Sequence, residues 1–169
     1  GRRGYQPMSQ AVHGDVLVKH WETYEKAARG AGHDPRREDW RVSRLVFVAD
    51  TDEEARALVR DGDIGRLWRE ENLANFTRLG LTDLLTGGEV DASDLTVDWL
   101  IENQFFVGSP QTVADKIRAL YEHTGGFGGV QTSTYDFSDH PEAYERNFQL
   151  IGERVAPLLA DLTGDEQRG

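Results

Sequence analysis

Residues 40–54 read Trp40-Arg41-Val42-Ser43-Arg44-Leu45-Val46-Phe47-Val48-Ala49-Asp50-Thr51-Asp52-Glu53-Glu54. Residues 45–49 are an unbroken apolar run in which β-branched and aromatic side chains dominate. Such a run fits a strand buried on both faces, as in a parallel sheet. It stops at a cluster of acids and a threonine. Thr51 and Glu54 have the spacing of a capping box, which satisfies two free amide donors at a helix start. The stretch therefore predicts a strand over residues 40–49 that feeds at once into a helix ending near Arg60.

Reading outward, Leu17, Trp21, Tyr24 and Ala28 share one face of a helix over residues 15–29. Gly30 and Gly32 end it, since glycine accepts the left-handed conformation beyond a helix. Residues 5–12 before it read as a strand and its loop. On the other side, Ile64, Leu67, Trp68 and Phe76 mark a second helix over residues 64–79. Residues 80–98 hold Gly87-Gly88, several carboxylates and no clear period, the pattern of a mobile lid or insertion. Residues 99–107 are apolar again and run into Gly108-Ser109-Pro110. There Ser109 can cap a helix and Pro110 fits its first turn. That helix carries Val113, Ile117, Leu120 and Tyr121 and stops at Gly125-Gly126. Residues 129–137 form a last strand. His140-Pro141 opens a final helix with Phe148, Ile151, Val155 and Leu159.

The order strand–helix, strand–helices, strand–helix implies right-handed crossovers and a parallel α/β sheet. Three strands alone leave two sheet edges exposed. A complete TIM barrel takes about 250 residues, against 169 here. The chain opens Gly1-Arg2-Arg3 with no initiator Met, and we expect a piece of a longer protein. Its net charge of −11 disfavours nucleic acid, which needs clustered Lys and Arg. With no cysteine, disulfides and thiolate chemistry are excluded. No apolar run approaches the ~18 residues of a membrane span, and no signal-peptide pattern opens the chain. A cytoplasmic location is the default expectation.

Four ordered segments carry a family resemblance. They are Gly1-Arg2-Arg3-Gly4-Tyr5-Gln6-Pro7-Met8-Ser9, then residues 40–56, then Val107-Gly108-Ser109-Pro110-Gln111-Thr112-Val113-Ala114, and finally Gly125-Gly126-Phe127-Gly128 on to Val155-Ala156-Pro157-Leu158. In this order and spacing the chain resembles the C-terminal half of the bacterial-luciferase-like flavin monooxygenases, in their limonene-monooxygenase-like branch. The resemblance implies a TIM (β/α)8 barrel, of which residues 1–169 are the last three β/α units. It implies reduced FMN delivered by a separate flavin reductase, O2 as co-substrate, and transfer of one oxygen atom to a small organic substrate. Apolar and aromatic residues near residues 80–98 favour a hydrophobic one. In this family the first five strands supply much of the flavin contact and the dimer helices. The full-length protein is then a homo-oligomer, and this chain alone does not hold flavin tightly. Two alternatives stand beside this. One is an oxidoreductase of the same superfamily that transfers hydride with coenzyme F420. The other is a non-catalytic half-barrel or fragment.

The implied site lies at the C-terminal ends of the strands. Gln6, Pro7, Met8 and Ser9 are the candidates for walling the flavin; the alternative is a strand end with no ligand. His13 and Asp136 are the catalytic candidates. The alternatives are a solvated loop histidine, and a turn or capping residue before Pro141. Tyr135 could edge the pocket. Arg44, inside the buried-looking strand, needs an anionic partner or solvent access, and a structural salt bridge is expected. No metal site is expected: the five histidines include no His-x-x-x-His or His-x-His pair.

Overall fold

The computed structural model describes residues 1–133, 135 and 138–163. Its hub is strand β2 (Arg41–Val48), formed by the apolar run read above. β2 pairs in parallel with β1 (Met8–Ser9), β3 (Phe106–Gly108) and β4 (Gly129–Ser133). Arg41 and Val42 have partners in both β1 and β4, so those strands flank the first half of β2. β3 joins only the second half, at Val46, Phe47 and Val48.

The expected helix starts are in place. Helix α1 (Gly14–Arg29) follows β1, and α2 (Asp52–Asp61) follows β2. The Thr51 hydroxyl accepts from the Glu54 amide at 3.1 Å. Next come α3 (Asp63–Leu67), α4 (Leu73–Arg78), α5 (Thr82–Thr86) and α6 (Val97–Asn103). Ser109 caps α7 (Pro110–Thr124), and Gly125 ends it at φ 73°, where a side chain would be strained. α8 (Pro141–Leu150) leads through a π turn into the short α9 (Ala156–Leu158) and α10 (Ala160–Thr163).

The sheet separates two apolar clusters. Val42 and Val48 pack with Leu17 and Trp21 of α1, Val113 and Ile117 of α7, and Leu150 of α8. Leu45 and Phe47 pack with Ala55 and Val59 of α2, Ile64 of α3, and Leu100 and Ile101 of α6. Each such side chain contributes about 1.5–3 kcal/mol on burial. The second half of β2 is thus enclosed on both faces.

Four readings from sequence change. The sheet has four described strands where three were expected, because Phe106–Gly108 pairs with β2. The apolar stretch over residues 99–107 is mostly helical: α6 begins behind the cap Thr96, whose hydroxyl accepts from the Trp99 amide at 3.1 Å. The helix expected over residues 64–79 is broken by a π turn at Trp68–Asn72. The strand expected within residues 5–12 is only Met8–Ser9, and of the strand expected over residues 129–137 the described part is Gly129–Ser133. Residues 80–98 contain α5 and are anchored in the core by Leu85, Leu95 and Val97. No helix among the described residues is long and apolar enough to cross a membrane.

Candidate functional site

Side chains alternate along a strand, and register partners in a parallel sheet share a face. The pairing therefore sorts the sheet. Met8, Arg41, Ser43, Leu45, Gln131 and Ser133 lie on one face; Ser9, Val42, Arg44, Val130 and Thr132 lie on the other. Helices α1, α7 and α8 close the second face. On the first face the cluster around Leu45 and Phe47 covers only the later part. Toward the strand starts the sheet is open. Met8 is 54% exposed, and Arg41 and Gln131 are exposed as well. Ser43 and Ser133 share a hydrogen bond at 3.0 Å between their hydroxyls. The result is a strip that exposes a thioether and a carboxamide, beside the half-buried Ser133 and the buried Ser43 hydroxyls.

The four residues expected to wall a flavin do not act as a group. The Gln6 carboxamide donates to Asp39 Oδ1 at 3.2 Å, and the Pro7 carbonyl accepts the Arg41 amide at 3.1 Å. Met8 stands on the open strip. Ser9 is buried on the opposite face, where its hydroxyl accepts from the Trp40 indole N–H at 3.0 Å and lies 3.4 Å from His20 Nδ1. His13 is the residue before α1 and accepts from the Asp15 amide at 3.4 Å. Its amide donates to the Leu84 carbonyl at 2.7 Å, and its ring lies 3.5 Å from Glu89. The histidine thus ties α1 to residues 80–98. Asp136 lies outside the described residues. Tyr135 is half-buried; burial raises its phenol above the ordinary value, and Trp68 opposes the shift.

Polar contacts that sequence reading missed fix the strand ends. Asp52 Oδ1 accepts the Ser109 amide at 2.6 Å and Oδ2 accepts the Thr112 hydroxyl at 3.0 Å. The Ser109 amide, ahead of burial in the opposing sense, holds the Asp52 carboxyl below its ordinary value. Asn147 Oδ1 accepts the Val48 amide at 2.8 Å and pins α8 to β2. A signal for the first existed: Asp52 follows one strand, and Ser109-Pro110 follows another. Nothing in the sequence marked Asn147.

Arg44 corrects an expectation. Among the described residues no carboxylate lies within salt-bridge distance of it. Its guanidinium donates to the carbonyls of Ser43 at 3.1 Å and Val12 at 2.7 Å, and sits 5.8 Å from the Phe106 ring centre. It is 2% exposed, and burial brings its pKa down to about 10. It lines a cavity of about 410 Å³ between α1, α7 and the α6–β3 turn. Among the described residues no group of three or more His, Asp or Glu side chains is arranged to hold a metal ion.

This fold and these segments coincide with known proteins. Residues 1–126 match the profile of the luciferase-like monooxygenases, and the chain belongs to that family. It is 40% identical over 160 residues to 3,6-diketocamphane 1,6-monooxygenase of Pseudomonas putida, covering 94% of this chain and 42% of the relative. It is 33% identical over 156 residues to limonene 1,2-monooxygenase of Rhodococcus erythropolis, covering 92% and 38%. A solved structure of the oxygenating constituent of Pseudomonas putida 3,6-diketocamphane monooxygenase, a type II Baeyer–Villiger monooxygenase in complex with FMN, superposes with a TM-score of 0.87. That match is 40% identical and covers 93% of this chain and 43% of the other. The chain therefore spans less than half the length of these relatives.

Proposed function

We propose that this chain is the C-terminal part of an FMN-dependent monooxygenase and forms the last β/α units of its barrel. The observation that carries the reading is the 40% identity over 94% of the chain to a diketocamphane monooxygenase. The open strip fits the flavin. The exposed thioether of Met8 and carboxamide of Gln131, with the less exposed Ser43–Ser133 hydroxyl pair on the same face, offer the mixed apolar and hydrogen-bonding wall that a flat ring takes. The phosphate needs cations, and the nearest candidate is committed elsewhere: the Arg41 guanidinium donates to the carbonyls of Glu38 at 2.6 Å and Trp40 at 3.4 Å. The phosphate grip then belongs to the rest of the barrel.

Bound and reduced, FMN supplies the activation of O2. This chain's part is to wall the ring, exclude water and shape the substrate pocket. Met8 and the two serines form the wall. Residues 80–98 are the lid, held at its root by the His13–Leu84 contact and the Leu85 and Leu95 anchors. His13, beside that lid, and Asp136, just after β4, are the proposed proton-handling groups; of Gln6, Pro7, Met8 and Ser9, Met8 stands on the cofactor side, Gln6 and Pro7 lead into it, and Ser9 backs it from the opposite face of the sheet. The substrate is a small hydrophobic organic molecule, and a cyclic ketone would match the relative's name. A separate flavin reductase, homo-oligomerisation and a cytoplasmic setting complete the reading.

FMN fluorescence titration tests it, with this chain alone and with the full-length protein. Tight binding by the full-length protein and weak binding by this chain is the expected result. Binding of F420 but not FMN by the full-length protein would replace this reading with hydride transfer.

A further inference from the structure

The cavity beside Arg44 lies on the helix-covered face of the sheet, opposite the Met8 strip. Two cations line it, and both are unusual. Among the described residues, Arg44 donates to the carbonyls of Ser43 and Val12. Lys116 donates to those of Ile101 at 2.7 Å and Phe105 at 3.2 Å. Among the described residues neither has a carboxylate within 4 Å. A buried charge without a counter-charge is costly, so folded proteins seldom keep one. Arg44 is one, and the half-buried Lys116 shares its cavity.

The acids around the same cavity are arranged differently. Asp15 pairs with His123 at 2.8 Å, Glu89 with His13 at 3.5 Å and Glu102 with Arg56 at 3.0 Å. Each is more than half exposed. The carboxylates therefore sit at the rim with basic partners, while among the described residues the two cations meet backbone carbonyls and no carboxylate. Gln104, also buried on the wall, donates to the Leu85 carbonyl. Burial pushes the Lys116 ammonium below its ordinary value, with Glu102 opposing.

We propose that this cavity is a binding site for a small oxyanion, carrying a phosphate or carboxylate group, held between Arg44 and Lys116. The volume of about 410 Å³ takes a phosphate ion or a short dicarboxylate with its waters. The guanidinium offers a planar fork of donors and the ammonium a point charge, a pairing suited to oxyanions. On a chain of net charge −11 the affinity has to come from this local desolvated pair and not from the overall field. The cavity lies on the opposite face from the flavin strip and shares His13 and Glu89 with the lid contact, so binding here is read without flavin present.

Isothermal titration of the chain with inorganic phosphate, and separately with succinate, tests the proposal at constant ionic strength held with chloride. One equivalent of saturable binding by either probe is expected, and the tighter probe identifies the group recognised. Lys116→Met is expected to weaken binding about tenfold, the loss of one charge-assisted contact. Arg44→Met is expected to abolish it. Lys116 is only partly buried, so its variant reads the site even where the Arg44 variant fails to fold. Heat that chloride alone reproduces, or wild-type affinity in Lys116→Met, would overturn the proposal.

Discussion

The two faces of β2 are built by different rules. On the helix side, Val42 and Val48 are 0% exposed, and the polar atoms there reach partners: Ser9 with Trp40, Asn147 with the Val48 amide. On the other side the enclosure is half finished. Leu45 and Phe47 are covered, yet Met8, Arg41 and Gln131 meet solvent. A sheet face in an α/β protein is normally covered along its length. One face is completed by this polypeptide, and the other is completed in part.

The largest test of that contrast is Trp40. It is 1% exposed, lies tilted against Trp21 with ring centres 5.3 Å apart and meets Phe127 edge-on. Trp40→Ala should cost about 3–5 kcal/mol in urea unfolding. On the open strip, Gln131→Ala should stay within about 0.5 kcal/mol. Equal losses at the two positions would erase the difference between the faces.

A smaller effect is expected at the strand ends. Asp52→Ala removes the carboxylate that joins α2 to the start of α7 and should cost about 1.5–3 kcal/mol. Because the folded-state pKa of Asp52 is depressed, its contribution is full above the unfolded carboxyl value. It is lost as pH falls through the lower folded value. The variant should therefore show a flatter loss of urea midpoint below pH 4 than the wild type (~3.9 being the unfolded aspartate value). An unchanged acid limb would place the link elsewhere. Smaller than the Asp52 effect is Ser9→Ala, which strands the Trp40 indole N–H and should cost about 1 kcal/mol in the same assay. No loss would mean that the indole finds water.

The parts legible in the sequence are those whose cause is local. β2 declared itself by an apolar run, and α2 and α7 by Thr51 and by Ser109-Pro110, because a cap is decided within one turn. Helix α6 was not separated from β3 because its apolar residues Val97, Leu100 and Ile101 adjoin Phe105, Phe106 and Val107, and the join blurs two periods. The π turn at Trp68–Asn72 leaves no mark in composition. Arg44 was correctly seen as a problem, but its answer is two backbone carbonyls, and carbonyls carry no residue signature. The cavity was invisible because its walls come from segments far apart in the chain. The placement of Met8 and Ser9 on opposite faces follows from simple alternation once the register is known.

Among the described strands, β2 is the one to which all the others attach. Its partners lie roughly 30, 60 and 90 residues away along the chain, and closing longer loops costs only about 0.6 kcal/mol more per doubling. Assembly order is then set less by entropy than by synthesis. β1 leaves the ribosome before its partner, β2 arrives as a template, and β3 and β4 dock later onto a strand already in place. A slip of one residue in β2 would misplace three neighbours together, so the long apolar run does more than fill the core. It sets the reading frame for the whole sheet.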